Sequence, residues 1–379
     1  MRFTHVTLRN WRNFKEVDVP LGRRVFLFGP NAAGKSNLLD AFRFLRDVAE
    51  DEGGLKRAVD GARRGMRSIR SLHATRTTDV VIEVRVALDP DQPEWLYSLG
   101  LHNDEQGRVL VKSEVVERGG VRLLERPDAD DQRDPKRLAQ THLEQVSANQ
   151  SFRELAESFA SIQYIHIVPQ IVRGADWTVP LSKDPFGSDF LQQLARTTQK
   201  KRDAKLRRIE KALQPALPRF EELQFDQDEL GRPHLKARYK HWRGKGAWQL
   251  EDQFSDGTLR LVGLLWALLE GSAPLLLEEP ELSLHAAVVR QIPRMMATVA
   301  RKHDRQIFIS THSEQIMAEG GIDPSEILIL EPTEHETRVW VAQEDPEIQA
   351  VAAAGGSIAE LLVARTRPRD VQQLAYWGA

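Results

Sequence analysis

A chain of 379 residues, 41% of them hydrophobic, with a formal net charge of −2, can bury a large core as one big domain or two lobes. It has no cysteine, which excludes a disulfide framework, a cysteine-built zinc site and a cysteine nucleophile, and fits a reducing, cytoplasmic setting. The near-zero net charge removes the simplest argument for nucleic-acid binding, so any such site must be a local patch.

Polar residues break every apolar run in Met1–Arg9, so no signal peptide is expected. The longest apolar stretch, Leu259–Leu269, contains Arg260 and is too short to span a bilayer; no membrane association is expected. Phe3–Leu8 alternates as a strand does and leads into Arg9-Asn10-Trp11-Arg12-Asn13-Phe14. Arg24–Phe28 is a short apolar strand that runs into Gly29-Pro30-Asn31. Beyond the glycines, Leu38, Leu39, Phe42, Leu45 and Val48 recur at helical spacing. Residues 51–77 are rich in Gly and Arg and predict a loop or short helices. Val80–Val86, Trp95–Leu101 and Val109–Val116 predict strands, and the charged run 126–137 predicts a loop.

Ser151–Phe159 predicts a helix and Tyr164–Val168 a buried strand ending at Pro169-Gln170. Residues 186–217 predict one long amphipathic helix with Leu206, Ile209, Leu213 and Leu217 on its apolar face. Short strands follow at Leu223–Phe225 and Leu235–Tyr239. The α/β pattern then resumes: helix Leu259–Leu269, strand Pro274–Leu277, helix Ala286–Lys302, strand Gln306–Ser310, helix Glu314–Ala318 and strand Ile327–Leu330. Alternation at both chain ends predicts an α/β fold whose mixed central sheet is assembled from both termini around a mid-chain insertion. The expected organisation is a single domain over 1–379. Within it, 1–75 and 250–340 form a nucleotide-binding core, 78–125 an antiparallel β region, 126–250 a helical and β insertion lobe, and 341–379 a C-terminal extension.

Four motifs carry chemistry. Gly29-Pro30-Asn31-Ala32-Ala33-Gly34-Lys35-Ser36 fits G-x-x-x-x-G-K-[ST], and Asn37 follows it. Its glycines let successive N–H groups turn toward phosphate oxygens; Lys35 would pair with the β and γ phosphates and Ser36 would ligate Mg²⁺. The strand before it and the helix after it favour this over a chance glycine turn. In the second motif, Pro274-Leu275-Leu276-Leu277 ends abruptly in Glu278-Glu279, a costly arrangement unless a cation or ordered water receives the carboxylates. Glu278 would hold the magnesium shell and Glu279 would orient or deprotonate the attacking water. Asp is the commoner residue at the first of these positions.

Third, Phe254-Ser255-Asp256-Gly257-Thr258-Leu259-Arg260 opens a helix, where Ser255 and Gly257 can meet an anion; alone, Ser-Asp-Gly is also a common turn and N-cap. Fourth, the strand Ile307–Ser310 delivers His312, a candidate for the γ-phosphate or the water. The expected geometry is convergence of the loop near residue 30, the paired acids and His312 on one triphosphate.

In this order the four motifs resemble the Walker A, signature, Walker B and switch-histidine set of ABC-type ATPases. Leu8–Lys15 resembles the start of RecF- and SMC-type heads, and Glu278-Glu279-Pro280-Glu281-Leu282-Ser283-Leu284-His285 resembles the "EEPExxLHP" run of the AAA15/AAA21 ATPases, a group that includes OLD-family heads. Ala286 stands where that run usually has Pro. Ile165–Gln170 resembles an SMC Q-loop, which makes Gln170 a candidate magnesium ligand and γ-phosphate sensor; an ordinary loop glutamine is the equal alternative. The resemblance covers roughly 1–50 and 250–330.

It implies a homodimer that closes head to tail over two Mg-ATP molecules, with Ser255 and Gly257 acting in trans and Leu282–His285 as the D-loop. SMC-type coiled coils are not expected, because no heptads are sustained. About 49 residues follow Leu330, too few for the TOPRIM domain of OLD nucleases, so no built-in nuclease is expected.

Three basic clusters are candidate DNA contacts: Lys56 to Arg76 with Arg57, Arg63, Arg64, Arg67 and Arg70; Lys200 to Arg208; and Lys236 to Lys245, which includes Trp242. Solvated faces balanced by Glu221, Glu222, Asp226 and Asp228 are the competing reading. Two functions stay open: an ATPase acting on DNA in repair or antiviral defence with a separately encoded nuclease or toxin effector, or a nucleotide-gated scaffold that never touches nucleic acid. The ATP subunit of a transporter is disfavoured by the signature variant and the β-rich insertion.

Overall fold

The computed structural model describes residues 1–61, 63–71, 79–89, 92–173, 186–240, 247–318, 320–367, 373 and 376. In chain order the strands are β1 (Arg2–Arg9), β2 (Glu16–Pro20), β3 (Arg24–Phe28), β4 (Val80–Ala87), β5 (Trp95–Asn103), β6 (Val109–Arg118), β7 (Val121–Arg126), β8 (Gln163–Ile165), β9 (Phe220–Gln227), β10 (Pro233–Tyr239), β11 (Ala247–Leu250), β12 (Leu275–Glu278), β13 (Ile307–Thr311), β14 (Ile327–Pro332) and β15 (Thr337–Val341). Two compact units emerge: Met1–Gln163 with Ser272–Leu276 and Ala300–Ala379, and Tyr164–Gly271 with Leu277–Val299. The chain passes between them four times: within β8, between Gly271 and Ser272, within β12, and between Val299 and Ala300.

The first unit holds an antiparallel sheet in the order β2-β1-β4-β5-β6-β7. Its strands alternate as a half-covered sheet requires: Val80, Ile82, Val84 and Val86 of β4 are buried and their neighbours less so. The mixed sheet has the order β15-β14-β3-β13-β12-β8. In it β13 and β14 flank β3 in parallel, and β15 returns antiparallel. Val25, Phe26, Leu27 and Phe28 are all buried, the continuous apolar run of a strand covered on both faces. Phe3 of β1, Phe42 of the helix Lys35–Ala49, Phe159 and Phe308 of β13 form an aromatic cluster with centroids 4.8–6.4 Å apart. Each such pair contributes roughly 0.5–1.5 kcal/mol beyond its buried area, so the phosphate-loop helix is anchored to both sheets of this unit.

The charged run 126–137 is not a loop. Arg126 ends β7 with its side chain fully buried and paired with Asp131 (2.8 Å) and Glu114 (3.1 Å). Asp128 then caps a short helix, Ala129–Arg133. Hydrogen bonding by Arg126 holds Asp131 down at about 2, whereas burial pushes Glu114 up. An isolated buried charge is prohibitive, but this set is mutually satisfied. Nearby, the Leu55 amide donates to Glu144, whose burial raises its carboxyl to about 7.

Because that value lies above the ordinary one, folding favours protonated Glu144, and stability from this group is lost as pH rises from about 4.5 to about 7. Thermal melts should therefore show Glu144→Gln more stable than the parent at pH 8 and equal to it at pH 5. A difference that stayed constant with pH, or reversed, would refute this account.

The second unit packs a three-stranded sheet, β11-β10-β9, on helices. Its core comprises Leu206, Ile209 and Leu213 against Leu223, Leu235, Leu259, Val262 and Trp266. The helix expected over 186–217 is two helices, Phe190–Arg196 and Gln199–Leu213. They part at Thr197-Thr198, where Thr197 Oγ1 donates back to Gln193 O at 2.8 Å, a local competitor to continued helix. Likewise Ala286–Lys302 divides into Ala286–Val289 and Ile292–His303, because Pro293 has no N–H and suits only a helix start. The strand expected over Tyr164–Val168 stops at Ile165, and Gln170 lies in a short helix, Pro169–Arg173.

Candidate nucleotide-binding site

The phosphate loop leaves β3 at Gly29, with Ala32 at φ 63 and Gly34 at φ 94 before the helix Lys35–Ala49 begins. Gly29 is required by space: a Cβ there would lie 2.7 Å from Leu330 O of β14. Lys35 is buried, and its Nζ donates to Gly29 O at 2.9 Å and Pro30 O at 3.0 Å. The loop is thus wound around its own ammonium group, while Asn31, Ala32 and Ser36 stay exposed and Ala33 is buried.

Three neighbours support the helix. Trp11 Nε1 donates to Asn37 O at 2.7 Å, and Asp40 receives both Arg12 and Arg63. Burial alone would raise the Asp40 carboxyl, but the guanidiniums of Arg63 and Arg12 outweigh it and hold it below the usual range. The β3–β13 register pairs Phe28 with Thr311. Exposed His312 therefore leaves its strand abreast of Gly29, so the structure brings these two expected elements to one sheet edge.

The remaining candidates lie in the second unit. Glu278 ends β12; its carboxylate accepts the Tyr164 hydroxyl and its backbone carbonyl accepts His166 Nδ1 at 3.2 Å. Glu279 follows at φ 40, left-handed backbone that a non-glycine residue adopts at a cost of order 1–3 kcal/mol. Ser283 is also left-handed, at φ 62.

Ser255 is exposed and caps the helix Asp256–Leu269, its Oγ accepting from Thr258 N at 3.2 Å. Gly257 is needed for close approach: a Cβ would lie 2.5 Å from Ser283 O. Gln170 Nε2 donates to Asp256 Oδ2 at 3.1 Å, and Arg173 reaches the same carboxylate at 2.7 Å and Phe254 O at 2.6 Å. Burial lowers the Arg260 guanidinium, opposed by Asp256, Glu279 and Glu281.

Tyr164, Arg173 and Asn13 were not anticipated from sequence. Buried Tyr164 in an alternating strand gives a weak signal; Asn13 falls in the Leu8–Lys15 run, which does not mark its partners Ala33 and Thr337, and Arg173 gives none, since its partner Asp256 is remote in sequence.

The basic clusters separate. Arg63 is buried against Asp40 and Asp47, Arg238 pairs with Glu222 at 2.9 Å, and Lys236 pairs with Asp226. Lys200, Lys201, Arg207, Arg208 and Lys211 remain exposed on the helix Gln199–Leu213. Arg76, Trp242 and Lys245 lie outside the described residues. Among the described residues no helix is long and apolar enough to cross a membrane.

The fold is similar to that of an SmcHead bound to the C-winged helix domain of ScpA, with a TM-score of 0.59 and 14% identity over 90% of this chain and 98% of that one. It is also similar to a Pyrococcus furiosus Smc head with an extended coiled coil bound to the C-terminal domain of ScpA, at TM-score 0.54 and 14% identity over 93% and 99%. Together with the phosphate-loop motif and the family match that follows, that fold makes the chain a P-loop ATPase of the ABC type, in the RecF/SMC/OLD-like group. The family model for AAA_21, described as "AAA domain, putative AbiEii toxin, Type IV TA system", matches residues 24–318, and the chain belongs to this family.

Two curated relatives match locally. Endonuclease GajA of Bacillus cereus (strain VD045) is 45% identical over 47 residues, 12% of this chain and 8% of that protein. The DNA replication and repair protein RecF of Roseiflexus castenholzii (strain DSM 13941 / HLO8) is 41% identical over 60 residues, 16% and 15%. The matches thus cover under a sixth of either relative.

Proposed function

We infer that the chain is an ATP-driven dimer that acts in DNA repair or antiviral defence together with a separately encoded effector. The observation that carries this reading is the pairing of the complete phosphate loop with an exposed, helix-capping Ser255. In this reading Gly29–Asn37 wrap the triphosphate and Lys35 neutralises it. Ser36, Glu278 and Gln170 supply oxygen ligands to Mg²⁺, which neutralises charge on the phosphates. Glu279 positions the water, His312 senses the γ-phosphate, and Ser255 and Gly257 of one subunit close on the nucleotide of the other.

Hydroxyl, carboxylate and amide oxygens suit magnesium, which keeps several waters and substrate oxygens rather than an all-protein cage. The local likeness to GajA and RecF supports a role beside DNA, and the exposed basic row on Gln199–Leu213 is the surface proposed to meet it.

Ser255→Arg should leave ATP binding intact and abolish the ATP-dependent dimer, read by light scattering during gel filtration. Dimers that persist would end the in-trans assignment.

The alternative, a nucleotide-gated scaffold controlling a partner without nucleic-acid contact, is favoured by the ion-paired state of Arg63, Arg238 and Lys236. ATPase assays with and without double-stranded DNA separate the two. Neither stimulation nor salt-sensitive binding leaves the scaffold.

A further inference from the structure

A phosphate loop must turn its carbonyl oxygens away from the anion, because an oxygen directed at phosphate repels it. Behind this loop stands Asn13, in the turn between β1 and β2. Its Nδ2 donates to Ala33 O at 3.0 Å and to Thr337 Oγ1 of β15 at 2.7 Å, and its Oδ1 accepts from Asn37 Nδ2 at 2.8 Å. The Ala33 carbonyl can only accept, which fixes the end of the amide that faces it. Thr337, itself buried, returns its backbone N–H to Asn13 O at 3.1 Å. The same amide fills the space beside Gly34, where a Cβ would lie 2.2 Å from Asn13 Nδ2.

We propose that Asn13 is a positioning residue for nucleotide binding: it holds the Ala33 carbonyl on the outer side of the phosphate loop and ties the loop to Thr337 of β15. With Leu330 of β14 lying against Gly29, the β14–β15 hairpin braces both ends of the loop. The inference rests on the loop's being the ATP site. Asn13→Asp keeps the shape but turns the donor into an acceptor facing Ala33 O. Thr337→Val removes the hydroxyl, and Thr337→Ser restores it.

The probe is the methylanthraniloyl derivative of ATP with Mg²⁺, titrated by fluorescence, alongside kcat, KM and thermal melts of the full chain. Asn13→Asp and Thr337→Val should each weaken binding about tenfold, the order of one lost hydrogen bond. KM should rise with kcat nearly unchanged, Thr337→Ser should bind as the parent does, and melting temperatures should stay close. If Asn13→Asp fails to fold, the Thr337 pair decides. A parent that binds beside equally tight variants, or Thr337→Ser as weak as Thr337→Val, overturns this inference alone. A parent that does not bind overturns the ATP site with it.

Discussion

Lys35→Ala is expected to weaken ATP binding strongly, and turnover with it, while leaving the fold intact. The ammonium is buried and held by two carbonyls of its own loop, so it is preorganised at the loop's centre. When phosphate takes over those contacts, a buried, charge-assisted pair is made. Truncating one partner of such a pair costs about 2–5 kcal/mol, or roughly 30- to 4,000-fold in affinity. Calorimetric titration with Mg-ATP is the check, and an affinity within threefold of the parent would contradict the phosphate-loop assignment. Since the same truncation removes the Gly29 and Pro30 contacts, a melt of the nucleotide-free variant should accompany it.

The second large effect is expected from Glu279→Gln, which should bind ATP, slow hydrolysis by about 10²–10⁴-fold, the range for a lost general base, and accumulate the dimer. Glu279 sits in left-handed backbone directly after the apolar strand, strain of the kind that persists where a side chain must be aimed. The substitution preserves that backbone and the side-chain volume and removes only basicity. Turnover at the parent rate would show that another group activates the water.

The two variants separate binding from chemistry. A pull-down with trapped Glu279→Gln would reveal any effector.

The parts legible in the sequence are those whose determinants are local. Phe26 to Phe42 spells strand, loop and helix within seventeen residues. Gly29 and Gly34 were readable because the motif fixes their spacing, though the physical reasons, Leu330 O and the Asn13 amide, lie hundreds of residues downstream or, for the amide, upstream beyond β2 and β3.

Charge misled where it was buried. Arg126 and Asp131 resemble solvated loop residues until Glu114, on another strand, is placed beside them. Apolar periodicity carried the reading across Thr197-Thr198 and Pro293 because it is blind to hydrogen-bond competition and to a missing N–H. The Tyr164–Glu278 and Arg173–Asp256 contacts need three-dimensional adjacency that one sequence does not supply.

The contact of Gly257 with the Ser283 carbonyl leaves no slack between the two segments. They behave as meshed parts rather than neighbours: a displacement at the opening of the Asp256–Leu269 helix must be passed on to the turn that begins at Glu279. Anything that seats itself on Ser255 and shifts that opening would therefore press on the segment that carries Glu279, through steric exclusion of backbone by backbone.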